Sequence, residues 1–124
     1  MAAGVRKVNL DRGISAAKQA LMSERVKPAD CRTMAEVRRG VDRLDEEIVA
    51  RIGERFRYMD AAARIKPDRG AVRDEDRKAQ VLANVARHAE AVGAPAAQVL
   101  DLYERLIEAS IAYEFVRFDD TRKS

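Results

Sequence analysis

The usual reacting groups are scarce in this chain, and an arrangement of cations stands in their place. There is no Gly-rich phosphate loop, no metal-ligand spacing and no Ser–His pairing. One histidine, His88, and one cysteine, Cys31, cannot make a zinc site. His88 is expected on an exposed helix face, and Cys31 as an inert thiol near a helix start. The cations are more informative. Arg55 and Lys66 are 11 residues apart. On a helix that spacing leaves them within about 20° of one face and about 16 Å apart along the axis. Two long side chains so placed converge on one anionic ligand. Arg77 falls in the first turn of a later helix, where backbone N–H groups also favour anions. Ser110 and Glu114, at i and i+4, lie one above the other on the last helix. Glu114 faces an otherwise apolar side, and burying an unpaired carboxylate is costly. Arg38 precedes Arg55 by 17 residues, about 25 Å along an axis, so it cannot reach the same ligand from its own chain. In an antiparallel pair of long helices it reaches the other chain's pocket. Taken singly, each of these Arg and Lys side chains also fits a solvated helix face.

The elements that must position these groups are helices. Over Thr33–Lys66 the apolar residues Val37, Val41, Leu44, Ile48, Ile52, Phe56, Met59 and Ala63 recur at spacings of three and four. Thr33 and Glu36 have capping-box spacing, and Pro67 ends the run. A helix of that length spans about 50 Å, against a radius of gyration of about 13 Å for a compact domain of this size. The other helices are too few to cover its stripe, so a second copy related by a two-fold axis is expected to do so. A break at Gly40 or Gly53 is the alternative. Asp74 caps the next helix, which carries Leu82, Val85, Ala86, Ala89 and Val92 and stops at Gly93 before Pro95. The last helix is expected from about Ala96 to Phe118, with Val99, Leu102, Tyr103, Leu106, Ile107, Ser110, Ile111 and Glu114 on its inner side. The closing DDTRKS reads as a fraying polar tail. The expected fold is therefore all-α: a three-helix protomer with one very long first helix, in an intertwined homodimer. Its parts are an N-terminal extension over 1–32, a helical domain over 33–118 and a tail over 119–124. The extension is basic and reads as mobile, or as a short helix near Ile14–Val26 ended by Pro28.

Composition narrows the function. Only 5 % of residues are aromatic and Trp is absent, which suits closely packed helices better than a sandwich or barrel. The net charge of +3 comes from 24 basic and 21 acidic residues. With the signs interleaved and no aromatic stacking platform, no nucleic-acid partner is expected. No apolar run approaches the ~20 residues of a membrane span, so no membrane role is expected. A lone cysteine and the lack of an apolar leader fit a cytoplasmic protein.

Four segments in order, EVRRGVDRLDEEIVARIGER (36–55), AAARIK (61–66), VRDEDR (72–77) and LIEASIAYE (106–114), resemble the all-helical chorismate mutases, a group that includes the isochorismate–pyruvate lyases. The resemblance covers about Met34–Phe118. Most specific are VRDEDR and the Arg-x-x-[IVL]-D-x-[IVL]-D opening at Arg38–Asp45. The resemblance implies an intertwined homodimer that binds a small dicarboxylate, chorismate or isochorismate, without a cofactor. Arg55 and the partner's Arg38 would hold the two carboxylates. Lys66 would reach a carboxylate and the ether oxygen of the breaking bond. Arg77 and Ser110 would line the ring side beside Val72, and Asp74 would bind the ring hydroxyl. Glu114 falls where most members have Gln facing the ether oxygen. The implied activity is an isomerase of aromatic amino-acid biosynthesis, converting chorismate to prephenate. Elimination of pyruvate from isochorismate, giving salicylate, needs a similar cage and is the alternative. A non-catalytic helical dimerisation module is a further alternative, against which the retention of all four cations argues.

The sequence also departs from the family pattern. Glu114 donates a hydrogen bond only when protonated, because a carboxylate is acceptor-only. Activity is therefore expected to fall as pH rises above neutral. The short connector from Lys66 to Val72 and the DCRTMAEVRR opening are closer to the lyases. Ser110 and VRDEDR lean toward the mutases, and the extension matches neither.

Overall fold

A computed structural model describes residues 25–123. The extension up to residue 24, with nearly all of the short helix expected in it, lies outside the described residues. The described chain is all-helical, with α1 (Met34–Ile65), α2 (Glu75–Ala91) and α3 (Ala96–Thr121). Single 3-10 turns occur at Pro28–Asp30 and Arg69–Ala71. No strand occurs among the described residues. Neither Gly40 nor Gly53 interrupts α1. The chain divides into two compact units, one ending at Arg51 and one starting at Ile52.

In the first unit, α1 starts where the sequence marks it. Glu36 N donates to Thr33 Oγ1 at 3.2 Å. Glu36 Oε1 accepts from Arg32 N at 2.8 Å and Thr33 N at 3.1 Å. That reciprocal cap satisfies backbone donors that a helix start otherwise leaves open. The Arg32 N–H is the main reason the Glu36 carboxyl sits below its ordinary pKa. The apolar stripe stays open to solvent in the single chain, with Val41 49 % and Ile48 52 % exposed.

In the second unit the rest of α1 is joined by α2 and α3. Ala63, Val72 and Phe118 form a buried cluster with Ile111 and Phe115 against it. Phe56 meets Tyr113 edge-on at 5.0 Å between ring centroids. The Tyr113 hydroxyl donates to Asp60 Oδ1 at 2.8 Å, and Arg117 Nε donates to the same oxygen at 3.1 Å. Asp74 caps α2, its Oδ1 accepting from Arg77 N at 2.9 Å. The other end of α2 closes as a Schellman motif: Ala94 N donates to Ala89 O at 2.8 Å and Gly93 N to Glu90 O at 3.2 Å. Gly93 takes the left-handed φ of +72° that this closure needs.

The last helix differs from expectation in two ways. It runs on to Thr121 instead of stopping near Phe118, because its polar end is anchored. Asp119 accepts both Nε and Nη2 of Arg69 at 2.9 and 3.3 Å. Arg122 donates to the carbonyls of Ala63 and Lys66 at 2.6 and 2.7 Å. The second difference is Leu102, which is 65 % exposed although assigned to the inner side. It lies five residues before Ile107, about 140° round the helix from the buried line, whereas Tyr103 lies about 40° from it.

Candidate active site

A cavity of about 320 Å³ opens in the second unit between the C-terminal half of α1, the start of α2 and the middle of α3. Seven of the eight residues singled out from sequence line it: Arg55, Lys66, Val72, Asp74, Arg77, Ser110 and Glu114. Met59, Ala62, Val81, Ile107 and Ile111 supply apolar wall. That size and make-up suit a small ligand fixed by a few polar groups. The eighth residue, Arg38, belongs to the first unit, is exposed, and is not part of the lining.

The polar groups are held in two pairs. Arg55 Nη1 donates to Ser110 Oγ at 2.8 Å. Ser110 is buried, and its own hydroxyl proton goes to Leu106 O at 2.7 Å, one turn back on α3. A serine hydroxyl has one donor and two acceptor positions, so Ser110 serves here as an acceptor that fixes Arg55. The Arg55 guanidinium also lies 5.8 Å from the centroid of the Tyr103 ring.

The second pair is Lys66 and Glu114. Lys66 Nζ lies 2.7 Å from Glu114 Oε2, and Glu114 is only 3 % exposed. This is charge contact without an aligned hydrogen bond, since Glu114 Oε2 accepts none. The ammonium also donates to Val72 O at 3.4 Å. Val72 is thus a buried wall residue whose carbonyl shares the Lys66 ammonium with Glu114.

At the mouth of α2, Asp74 already holds the backbone N–H of Arg77, so one of that helix's free donors is taken. The Arg77 guanidinium is steadied by Gln80 on the same helix. Sequence reading overlooked Lys78. Its signal was its spacing, since Asp74, Lys78 and Val81 follow one another on a single helix face and all line the cavity. Lys78 pairs with Glu104 and, at 2.8 Å, with Glu108 of α3. Glu108 in turn accepts from both terminal nitrogens of Arg73 at 2.7 and 3.2 Å. Arg73 first, then Lys78, pulls the Glu108 carboxyl down to about 2, and the same contact raises Arg73. Glu104 first, then Glu108, raises Lys78.

Charge decides what the cavity accepts. Arg55, Lys66, Arg77 and Lys78 face Asp74 and Glu114, a formal excess of two positive charges in the lining. With Lys78 offset by Glu104 and Glu108, the remaining excess is one. Such a site can hold an anion, bend it and stabilise charge that builds up on an oxygen. No cysteine or histidine lines it, and the only lining hydroxyl, Ser110, is committed to Arg55 and Leu106. Among the described residues no group of three or more His, Cys, Asp or Glu is placed to hold a metal ion. No helix among them is long and apolar enough to cross a membrane.

Residues 37–115 match the family profile described as chorismate mutase type II. The isochorismate pyruvate lyase of Pseudomonas aeruginosa is 36 % identical to this chain over 95 residues, which cover 77 % of the chain and 94 % of that protein.

Proposed function

We propose that this chain, which belongs to the chorismate mutase type II family, catalyses the rearrangement of chorismate to prephenate. The observation that carries this reading is the cavity that gathers Arg55, Lys66 and Arg77 around a small apolar space. The reaction is a single unimolecular pericyclic step and needs no nucleophile. The protein has to hold the enolpyruvyl arm over the ring, which is an entropy and conformer contribution. It also has to stabilise negative charge on the ether oxygen, which preorganised donors do best in a site closed to water. In this reading Arg55, fixed by Ser110, binds one carboxylate. Lys66 serves a carboxylate and the ether oxygen, with Glu114 beside it. Arg77 and Val72 bound the ring side, and Asp74 takes the ring hydroxyl.

Arg38 of the partner subunit completes the cage. The solvent-open stripe of α1, with Val41 and Ile48 about half exposed, supports a dimer built on that helix. A fourth cation brought in this way raises the excess of one, counted with Lys78 offset, to two, the charge of a dicarboxylate. The working form in this reading is a cytoplasmic homodimer that uses no cofactor, nucleic acid or membrane.

The relative at 36 % identity favours a second reading, elimination of pyruvate from isochorismate. The deciding experiment incubates the purified chain with each substrate. Loss of chorismate absorbance with formation of prephenate supports the first reading. Salicylate fluorescence from isochorismate, without turnover of chorismate, replaces it with the second. Turnover of neither refutes both and leaves a non-catalytic helical module.

A further inference from the structure

Lys66 stands at the end of α1, where a helix leaves its last carbonyls without intrahelical partners. Nothing local in the sequence closes that end, because Pro67 follows directly. It is closed from the far end of the chain. Arg122, just past α3, donates Nη1 to Ala63 O at 2.6 Å and Nη2 to Lys66 O at 2.7 Å. The same Nη1 lies 2.7 Å from Thr121 Oγ1. The guanidinium carbon sits 3.7 Å from the centroid of the Phe118 ring, and Phe118 packs with Ala63 and Val72 in the buried cluster. A second arginine repeats the device three residues on. Arg69 is paired with Asp119 and lies 4.5 Å over the Phe115 ring. The connector that carries Lys66 at one end and Val72 at the other is thus fastened twice to the last turn of α3. Both arginines rest on α3 rings, which fixes their planes.

We propose that Arg122 is a positioning residue for the cavity lysine: by capping the carbonyls of Ala63 and Lys66 it fixes the backbone from which the Lys66 ammonium reaches Glu114 and the ligand. This rests on the reading of the cavity given above. Displacing a reacting group by about 1 Å can cost about 100-fold in rate, so a loosened Lys66 backbone acts on turnover more than on binding. The Arg69–Asp119 pair supports the same segment but touches neither Lys66 nor its carbonyl, so it contributes less.

The test uses the full chain with Arg122→Ala, Arg122→Gln and Asp119→Asn. Amide hydrogen exchange gives a readout that needs no substrate. Exchange at Ile65 and Lys66 is expected to speed up at least tenfold in Arg122→Ala, with Ser110 to Glu114 unchanged. On whichever substrate the wild type turns over, kcat is expected to fall about 10- to 100-fold while KM moves less than about threefold, with Asp119→Asn falling less. Millimolar guanidinium is expected to restore part of the Arg122→Ala rate, and methylammonium none. Unchanged exchange at Ile65 and Lys66, or unchanged kcat in a folded Arg122→Ala, overturns the proposal. If Arg122→Ala does not fold, Arg122→Gln decides on the same criteria, and failure of both to fold assigns Arg122 to stability alone and also overturns it. A wild type inactive on both substrates refutes the function reading, and the exchange result then judges the capping on its own.

Discussion

The Glu114→Gln substitution tests the electrostatics of the cavity most directly. Glu114 is 3 % exposed, and its Oε2 lies 2.7 Å from Lys66 Nζ. As a carboxylate it accepts and cannot donate, so only its protonated form adds a second donor beside Lys66. Removing one donor from a developing oxyanion costs about 10²–10³ in rate. Glutamine has nearly the same shape and does donate, so the variant should exceed the wild-type kcat, with about two to three orders of magnitude as the limit. The substitution also removes the charge that offsets Lys66, which should lower KM for a dianion. The assay is continuous chorismate absorbance at constant pH and ionic strength, with circular dichroism to confirm folding. A folded Gln variant whose kcat is no higher than the wild type's refutes the reasoning.

Other expectations follow from separate parts of the structure. Arg38→Ala should lower kcat/KM about 100-fold while leaving the thermal midpoint within a degree or two, as measured by steady-state kinetics and calorimetry. Leu44→Asp with Ile48→Asp puts charge on the open stripe of α1 and should shift the protein to a monomer in sedimentation, with loss of turnover. Gly93→Ala should destabilise by about 1 kcal/mol in urea unfolding, because φ is +72° there, although a Cβ would meet nothing within 4 Å. Glu108 has a depressed folded pKa of about 2 against an ordinary 4.5, so its contribution is present above about pH 4.5 and lost as pH falls through 2. Glu108→Gln should therefore lose less stability than wild type over that window in acid titrations of the melting midpoint.

The helices were legible because their signals are local. The Thr33–Glu36 box, the Asp74 cap and the Gly93–Pro95 corner each act within a few residues, and all three are where the pattern put them. The meeting of Arg55, Lys66, Arg77, Ser110 and Glu114 around one space was also readable, from helical spacing and from family motifs together. The overlooked features depend on partners far away in sequence. Lys78 is explained by Glu104 and Glu108 on another helix, and the ordered end of α3 by Arg69, Ala63 and Lys66, some 50 to 59 residues earlier. Leu102 was misplaced because its apolar type was given more weight than its spacing, about 140° round the helix from Ile107. The role of Ser110 as an acceptor was hidden for a related reason, since its direction is set by Leu106 O and by Arg55 together.

The contact between Lys66 and Glu114 means that the cavity lysine carries a counter-ion from its own fold. Under the proposed function, a substrate carboxylate reaches that ammonium in competition with one already beside it. Charge alone then gives a ligand little advantage, and one that also fits the apolar wall is favoured over a simple inorganic anion.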